Sequence, residues 1–535
     1  MDECKQKDAR SEQENVRLQN LVDELMNNNA FFKEEIQRLK DEISILKGEK
    51  PRPVIHKNTL EPPGGEGKKN PKDGKIGRGK HPRKSKKTSL IIHQEQIIQP
   101  TVPIPDEAEF KGYKEYDVQD IVFTIQNTRY KLARYRLADG TYISGEVPKG
   151  IQGHYGPTLI SYVLNDYYSC RVTEILLRNK LLECGIQISE GKLNDMLISN
   201  KKAFHKEKAD LLSAGINAQN QILTDECHAR HMGQNQYTNV IGNDFFSVFN
   251  TTDSKSRVNF LKLLQGRKHR YLINEDAIAY LENLNPLSRF GYLLLSKGDK
   301  FTTPEGWQEF LTSQHITQAT EVRLVTEAAL YASLIETGIP QDLGVHADDA
   351  GQFDAFVRSL CWIHENRHYR KIIPTSEQAR TDLAMIRGKI WTIYRDLKLY
   401  KKNPNDTDKQ TIEKQFDDLF LHTETSSPTL NKRLRMTYEK KQDLLRVLVR
   451  PDTPLHNNSS ESAARTSVIK RKVSGGTRSD EGRDSRDTFL SLKQTRLKLG
   501  INFITFLKDR VCGLYEIPML AEVIRQRSSH PTKAP

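Results

Sequence analysis

Hydrophobic and polar positions change their spacing several times along the 535 residues, and each change predicts a different kind of element. Between residues 12 and 47, Leu18, Leu25, Phe32, Leu39 and Leu46 recur every seven residues, with Asn15, Val22, Asn29, Ile36 and Ile43 three positions before them. These are the d and a positions of a left-handed coiled coil, which needs an apolar seam about every 3.5 residues. Asn29 at an a position weakens the seam but selects one register, commonly that of a parallel dimer. Residues 50–105 carry no periodicity at all. From residue 117 the runs shorten to strand length, at 121–125, 130–137 and 140–147, with Asp139-Gly140 as a turn.

Helical spacing follows at 159–168 and 172–182, then a turn at Cys184-Gly185 and a helix capped by Ser189 and running to Leu197. Leu176, Leu177, Leu181 and Ile186, then Leu193, Met196 and Leu197, keep the helical period, which predicts a helix-turn-helix. At Gln221 the pattern turns to strand: Ile222-Leu223-Thr224 runs into Asp225-Glu226, and residues 240–250 form a second strand. Residues 268–318 read as a mostly helical insertion. A long helix at 320–336 then leads to a buried-type strand, 343–347, closing on Asp348-Asp349. Val357, Leu360, Cys361 and His364, at i, i+3, i+4 and i+7, predict one inward helix face. Residues 375–450 are helical and charge-laced. A helix bearing Glu461, a basic Gly-rich loop and a last helix at 485–508 complete the chain.

Charge sharpens this picture. The net charge of +13 and pI near 9.2 favour a polyanionic partner, with nucleic acid the default. Between residues 68 and 87 ten Lys and Arg side chains, Lys84, Lys86 and Lys87 among them, face only Asp73. Such a segment cannot bury enough apolar surface to order itself and suits non-specific phosphate binding. Six cysteines without a CxxC pair argue for a reducing compartment. With no signal-peptide core and no apolar run near the ~18 residues of a membrane span, the expectation is a cytoplasmic, nucleoid-associated protein with no membrane partner.

The candidate chemistry lies in three acids. Carboxylates at the end of a first strand (Asp225), after a later strand (Asp348 or Asp349) and on a helix (Glu461) can meet at one rim of a mixed sheet. There they would bind two Mg²⁺ or Mn²⁺ ions through oxygen and support an in-line phosphoryl displacement. Each has a plainer alternative. Asn458 and Glu461 match a capping box, Asp225 suits a turn, and Asp348 or Asp349 an N-cap. Cys361 and His364 form half of a zinc site, with Cys227, His228 and His231 as possible complements. The favoured reading makes Cys361 a small hydrophobe and His364 a hydrogen-bonded core residue.

These residues also carry a resemblance. Thr224-Asp225-Glu226-Cys227, Asp348-Asp349 followed by Cys361-Trp362-Ile363-His364-Glu365-Asn366-Arg367, and Asn457, Asn458, Glu461 and Arg465 in their spacing resemble the motifs of insertion-sequence-66 family transposases. Arg471-Lys472, Gly475-Gly476 and the helix at 488–507 are similar to that family's closing segment. The resemblance implies a multidomain α+β chain, in the following order. It begins with a coiled-coil zipper (1–49), a basic linker (50–105), a small β-rich DNA-binding module (106–157) and a helix-turn-helix region (158–215). An RNase H-like α/β catalytic core of the DDE type (216–374) follows, with its 268–318 insertion. A helical insertion (375–450) precedes the last part of the core with the C-terminal helices (451–535).

The resemblance further implies Asp225, Asp348 and Glu461 as catalytic and metal-binding residues, with Asp348 preferred over Asp349 because it continues its strand. Arg465, Lys470, Arg471, Lys472 and Arg478, with Lys84, Lys86 and Lys87, would hold DNA phosphates, and Cys361 and His364 would support the core. Partners would be double-stranded DNA, a second copy or a higher synaptic oligomer, and accessory proteins of the same element. Two departures stand out. Residues 106–157 contain no cysteine, so no zinc is expected there, and Ser462 replaces the family's usual Arg. The alternative function is a non-catalytic DNA-binding or architectural protein with a decayed core.

Overall fold

A computed structural model describes residues 92–529, apart from 103, 104, 106, 107, 109, 115, 116, 119, 121–123, 267, 268, 285–292 and 294–297. The heptad positions Leu18, Leu25, Phe32, Leu39 and Leu46, and Lys84, Lys86 and Lys87 of the basic arm, lie outside the described residues. The chain divides into two units, residues 51–124 and the remainder. Within the first, the described residues contain neither helix nor strand and are exposed.

The second unit opens on a small hairpin, β1 (Arg134–Arg136) against β2 (Tyr142–Ser144), with every strand residue exposed. Its turn forms where expected: Asp139 Oδ1 accepts from the backbone and hydroxyl of Thr141, and Gly140 takes a positive φ of 86°. The strands are shorter than their apolar runs suggested, and residues 124–133 are exposed and not strand. Helices Pro157–Tyr168, Glu174–Glu183 and Glu190–Ile198 follow, the latter two capped by Thr173 and Ser189 side chains. Leu177, Leu181, Leu193, Met196 and Leu197 turn inward, but Leu176 is 60% exposed. It stands about 100° round the helix from Leu177, beyond so narrow a stripe.

The main sheet is mixed and five-stranded. Its strands are β3 (Gln221–His231), β4 (Gln234–Gly242), β5 (Ser247–Thr252), β8 (Gly344–Ala347) and β9 (Val357–Leu360), in the order β5-β4-β3-β8-β9. β3, β8 and β9 run parallel and β4 antiparallel to both its neighbours. A pair of two-residue strands, β6 (Tyr271–Leu272) and β7 (Lys300–Phe301), lies apart from it. The run at 240–250 is two strands rather than one. Asn243 breaks it by donating to the carbonyls of Gly215 and Gln221, and the Phe246 ring lies where a Cβ on Gly215 would stand, 2.0 Å away.

One face of the sheet, at Val240 and Phe249, packs on helices Asn458–Ser474 and Asp480–Lys498 through Ala463, Ala464 and Leu490. The other contributes Ile222, Ile241 and Val345 to the large core shared with helices Lys202–Ala218, Arg257–Gln265 and Ala319–Glu336. The exposed edge of β5 is closed by side chains. The N–H groups of Ser247, Phe249 and Thr251 donate to Thr495, Ser491 and Asp487, spaced four apart on one helix. Four helical residues rise about 6 Å and two strand residues about 6.8 Å, so the two ladders stay in step.

Two further expectations are corrected. Residues 357–360 are the strand β9, paired with β8, and the helix begins only at Trp362 with Cys361 as its N-cap. The final helical stretch is three helices, Asp480–Lys498, Phe503–Cys512 and Leu520–Ser529, with Gly500 at a φ of 62° and Asn502 capping the second. Helices Glu377–Tyr400, Asp406–Phe420 and Pro428–Tyr438 build a separate core around Trp362 and Tyr369. Among the described residues no helix is long and apolar enough to cross a membrane.

Candidate active site

Asp225 does not end its strand; it sits midway along the eleven-residue β3. What ends there is the parallel pairing with β8, whose last pair is Leu223 with His346. Continuing that register by two residues brings Asp225 abreast of Asp348, just past the end of β8. On its other side Asp225 stays paired, opposite Val240 of β4. Its Oδ1 accepts from the Glu226 N–H at 2.8 Å. Burial, and the charges of Asp348, Glu461 and Glu226, push the Asp225 carboxyl up to about 6 against that hydrogen bond.

Asp348 Oδ1 accepts from the Ala350 N–H at 3.2 Å, and Ala350, rather than either aspartate, caps the short 3-10 turn Gly351–Phe353. Asp349 is turned onto Lys440 of the helical insertion in an ion pair. Asp348 therefore faces Asp225 and Asp349 does not.

The helix Asn458–Ser474 carries Glu461 in its first turn, and its start is no capping box. Asn457 is the N-cap residue and its side chain makes no cap bond. Fully buried, it donates from Nδ2 to the Thr224 carbonyl at 2.8 Å and from its backbone to Cys361 Sγ at 3.3 Å. One asparagine thus joins the first-acid strand, the third-acid helix and the Cys361 turn. Glu461 Oε2 accepts from Arg367 Nη2 at 3.2 Å, and Oε1 lies 3.5 Å from His364 Nε2. Arg367 Nη1 reaches the same His364 nitrogen at 2.8 Å. Burial and Arg367 lower the His364 pKa. His364 is therefore half-buried against the third acid, not a core residue, whereas Cys361 is buried and its thiol pushed up by that burial.

On the opposite side of β3, Glu226 meets Lys255 at 3.4 Å and Gln352 at 3.1 Å, and burial raises its pKa. The remaining zinc candidates have other partners. Cys227 Sγ reaches the Ala464 carbonyl, His231 meets Thr477 and Asp480, and His228 lies against the Tyr237 ring.

Among the phosphate-binding candidates, Arg465, Lys472 and Arg478 are exposed. Lys470 is not available. It is buried, its Nζ donates to the Tyr167 carbonyl and lies 3.4 Å from the ring centre, and burial lowers its pKa to about 7. The helix turns it toward the helical layer because Lys470 shares a face with Ala463, Thr466 and Ser467. Arg471 is half-committed, donating to the His228 carbonyl.

The three acids fit hard cations. Their donors are all oxygen, their like charges add, and Glu461 Oε1 is a buried acceptor without a hydrogen-bond partner. Of the other residues here, Asn457 and Arg367 stand in the sequence motifs without a role of their own, and nothing in the sequence points to Lys255 or Gln352.

The pattern of the transposase IS66 family matches residues 348–485, a span holding Asp348, the Cys361–Arg367 motif and Glu461. The uncharacterized protein y4jO of Sinorhizobium fredii is 36% identical over 308 residues, which is 56% of this chain and 94% of that relative. No solved structure matches the chain. Two acids within the matched span, and an extended relative covered almost from end to end, lead to one assignment: the chain belongs to the transposase IS66 family.

Proposed function

We propose that this protein is a DNA transposase of the DDE type, cleaving 3′ ends at the terminal inverted repeats of an insertion sequence and joining them to target DNA. The observation that carries the reading is the convergence of Asp225, Asp348 and Glu461: burial first, and then the charges of Asp348 and Glu461, lift Asp225 to about 6. Like charges gathered in a half-buried place destabilise a fold, so a decayed core that merely binds DNA gives no reason for them. The mixed sheet, with its central strand bearing one acid and a parallel neighbour leading to the next, supports an RNase H-like core.

Asp225, Asp348 and Glu461 would hold two divalent cations, Mg²⁺ or Mn²⁺. When bound, such a pair supplies an activated water or 3′-hydroxyl and charge stabilisation for the attacking and leaving oxygens. The chain's own residues do the positioning. Asn457 fixes the third acid relative to the first by bonding across to β3. Arg367 offsets the Glu461 charge until cations and phosphate take over that role. Lys440 keeps Asp349 out of the cluster. Exposed Arg465, one turn beyond Glu461, with Lys472 and Arg478, neutralises DNA phosphates.

Arg134 and Arg136 on the exposed hairpin suit a β-ribbon contact to the terminal repeats. The helix Glu190–Ile198 exposes Glu190, Asn194 and Asp195, a poorer surface for DNA. The N-terminal zipper would pair two copies and hence two ends, with accessory proteins of the element completing the assembly in the cytoplasm.

Asp225→Asn is expected to lose Mg²⁺-dependent nicking of end-containing DNA by at least about 100-fold while retaining DNA binding in gel-shift assays. Equal nicking by the variant would reject the assignment.

A further inference from the structure

Cys361, His364 and Glu461 combine a thiol, an imidazole and a carboxylate, a donor set unlike the all-oxygen cluster beside it. Their ligand atoms lie within 4.8 Å of one another. Two of these groups present buried atoms without a hydrogen-bond partner, Glu461 Oε1 and His364 Nδ1. Buried polar atoms left unpaired are costly and call for an occupant. The sulfur accepts from the Asn457 N–H at 3.3 Å, with the N–H groups of Ile363 and His364 also directed at it, contacts that ease formation of a thiolate against the burial that holds the thiol neutral. All three groups stand at helix starts: Cys361 caps Trp362–Arg370, His364 is in its first turn, and Glu461 is in the first turn of Asn458–Ser474.

We propose that Cys361, His364 and Glu461 form a site for a borderline-soft divalent cation of the Zn²⁺ class, and that filling it draws Glu461 away from Asp225 and Asp348. Bonds of about 2.0–2.3 Å need only side-chain closure, and three protein ligands leave a fourth tetrahedral position to water. Cys361 releases its proton to solvent as it binds, since the thiolate is the ligand. Ligation by His364 displaces Arg367 through either nitrogen. At Nε2 the cation replaces the arginine directly; at Nδ1, Nε2 must carry the proton and can no longer accept from Arg367. Mg²⁺ and Mn²⁺ favour the oxygen set, so the two sites compete for one carboxylate rather than for one ion. That competition rests on the reading of Glu461 as the third acid, whereas cation binding by itself does not.

Cobalt(II) is the probe, added to the full-length, metal-free protein without DNA. One equivalent is expected to give a near-ultraviolet thiolate-to-cobalt charge-transfer band, absent in Cys361→Ser. His364→Gln is expected to bind cobalt at least about 10-fold more weakly. No band at one equivalent, a band surviving Cys361→Ser, or unchanged affinity in His364→Gln overturns the proposal. Zn²⁺ is expected to bleach the band and to inhibit Mg²⁺-dependent nicking by the wild type. If the band behaves as stated while Asp225→Asn nicks like the wild type, the cation site stands and the transposase chemistry falls.

Discussion

Lys470 and Asp225 are two ionisable side chains held in places that disfavour their charge, and their surroundings separate structure from chemistry. Asp225 has acidic neighbours on a strand and a helix that cations can satisfy. Lys470 has a carbonyl and an aromatic ring, with Arg486, Lys493 and Arg171 adding repulsion to its burial. The lysine's folded pKa of about 7 lies below its ordinary 10.5, so the unfolded chain takes up the proton first. Its contribution to stability is complete above 10.5, declines as pH falls, and is lost once pH passes about 7. Lys470→Met should therefore stabilise the protein by roughly 1–3 kcal/mol at pH 7, the bonds to Tyr167 offsetting part of the gain. In urea unfolding across pH, that gain should grow from pH 10 to pH 7 and level off below. A gain that is flat with pH would show that Lys470 is not held neutral.

At the scale of elements, the ladder from Asp487, Ser491 and Thr495 to the β5 edge explains why that edge does not template pairing with another chain. Ser491→Ala leaves the Phe249 N–H buried without an acceptor, and should cost about 1–3 kcal/mol in urea unfolding. A loss below a few tenths would mean that water reaches the edge. The ladder was readable in principle as polar residues at i, i+4 and i+8. The apolar positions that mark a helix from residue 485 give no hint of it, because its polar face carries the same helical period. Asn457 was hidden for a related reason: Asn-Asn-x-x-Glu fits a cap locally, and only the approach of β3 offers its amide a better acceptor in Thr224.

The larger unit, from residue 125 on, is built on a mixed sheet with helices on both faces and a separate helical core in the 375–450 insertion. The insertion reaches back to the sheet through Lys440 and Asp443, which pair with Asp349 and Arg358 respectively. The heptad segment belongs to this scale as well. Removing residues 1–49 should convert a dimer to a monomer in sedimentation experiments and abolish paired-end complexes, while single-end binding persists. A truncated protein that still dimerises would shift the self-association to another surface.

Periodicity alone located most helices and the strand before Asp348, since burial of one face imposes its own spacing on the chain. It also offered Asp225 and one of Asp348 and Asp349 as candidates, because an acid following an apolar run is a local signal, whereas Glu461, on a helix start that equally fits a cap, stood out only through its motif. It could not separate strand from helix at 357–360, where a short apolar run fits both periods and pairing with β8 decided. Nor could it assign the partners of His364, Arg367 and Asn457. Those depend on segments some 90 to 240 residues apart meeting at one sheet edge, and that meeting follows from the packing of the whole core rather than from local spacing.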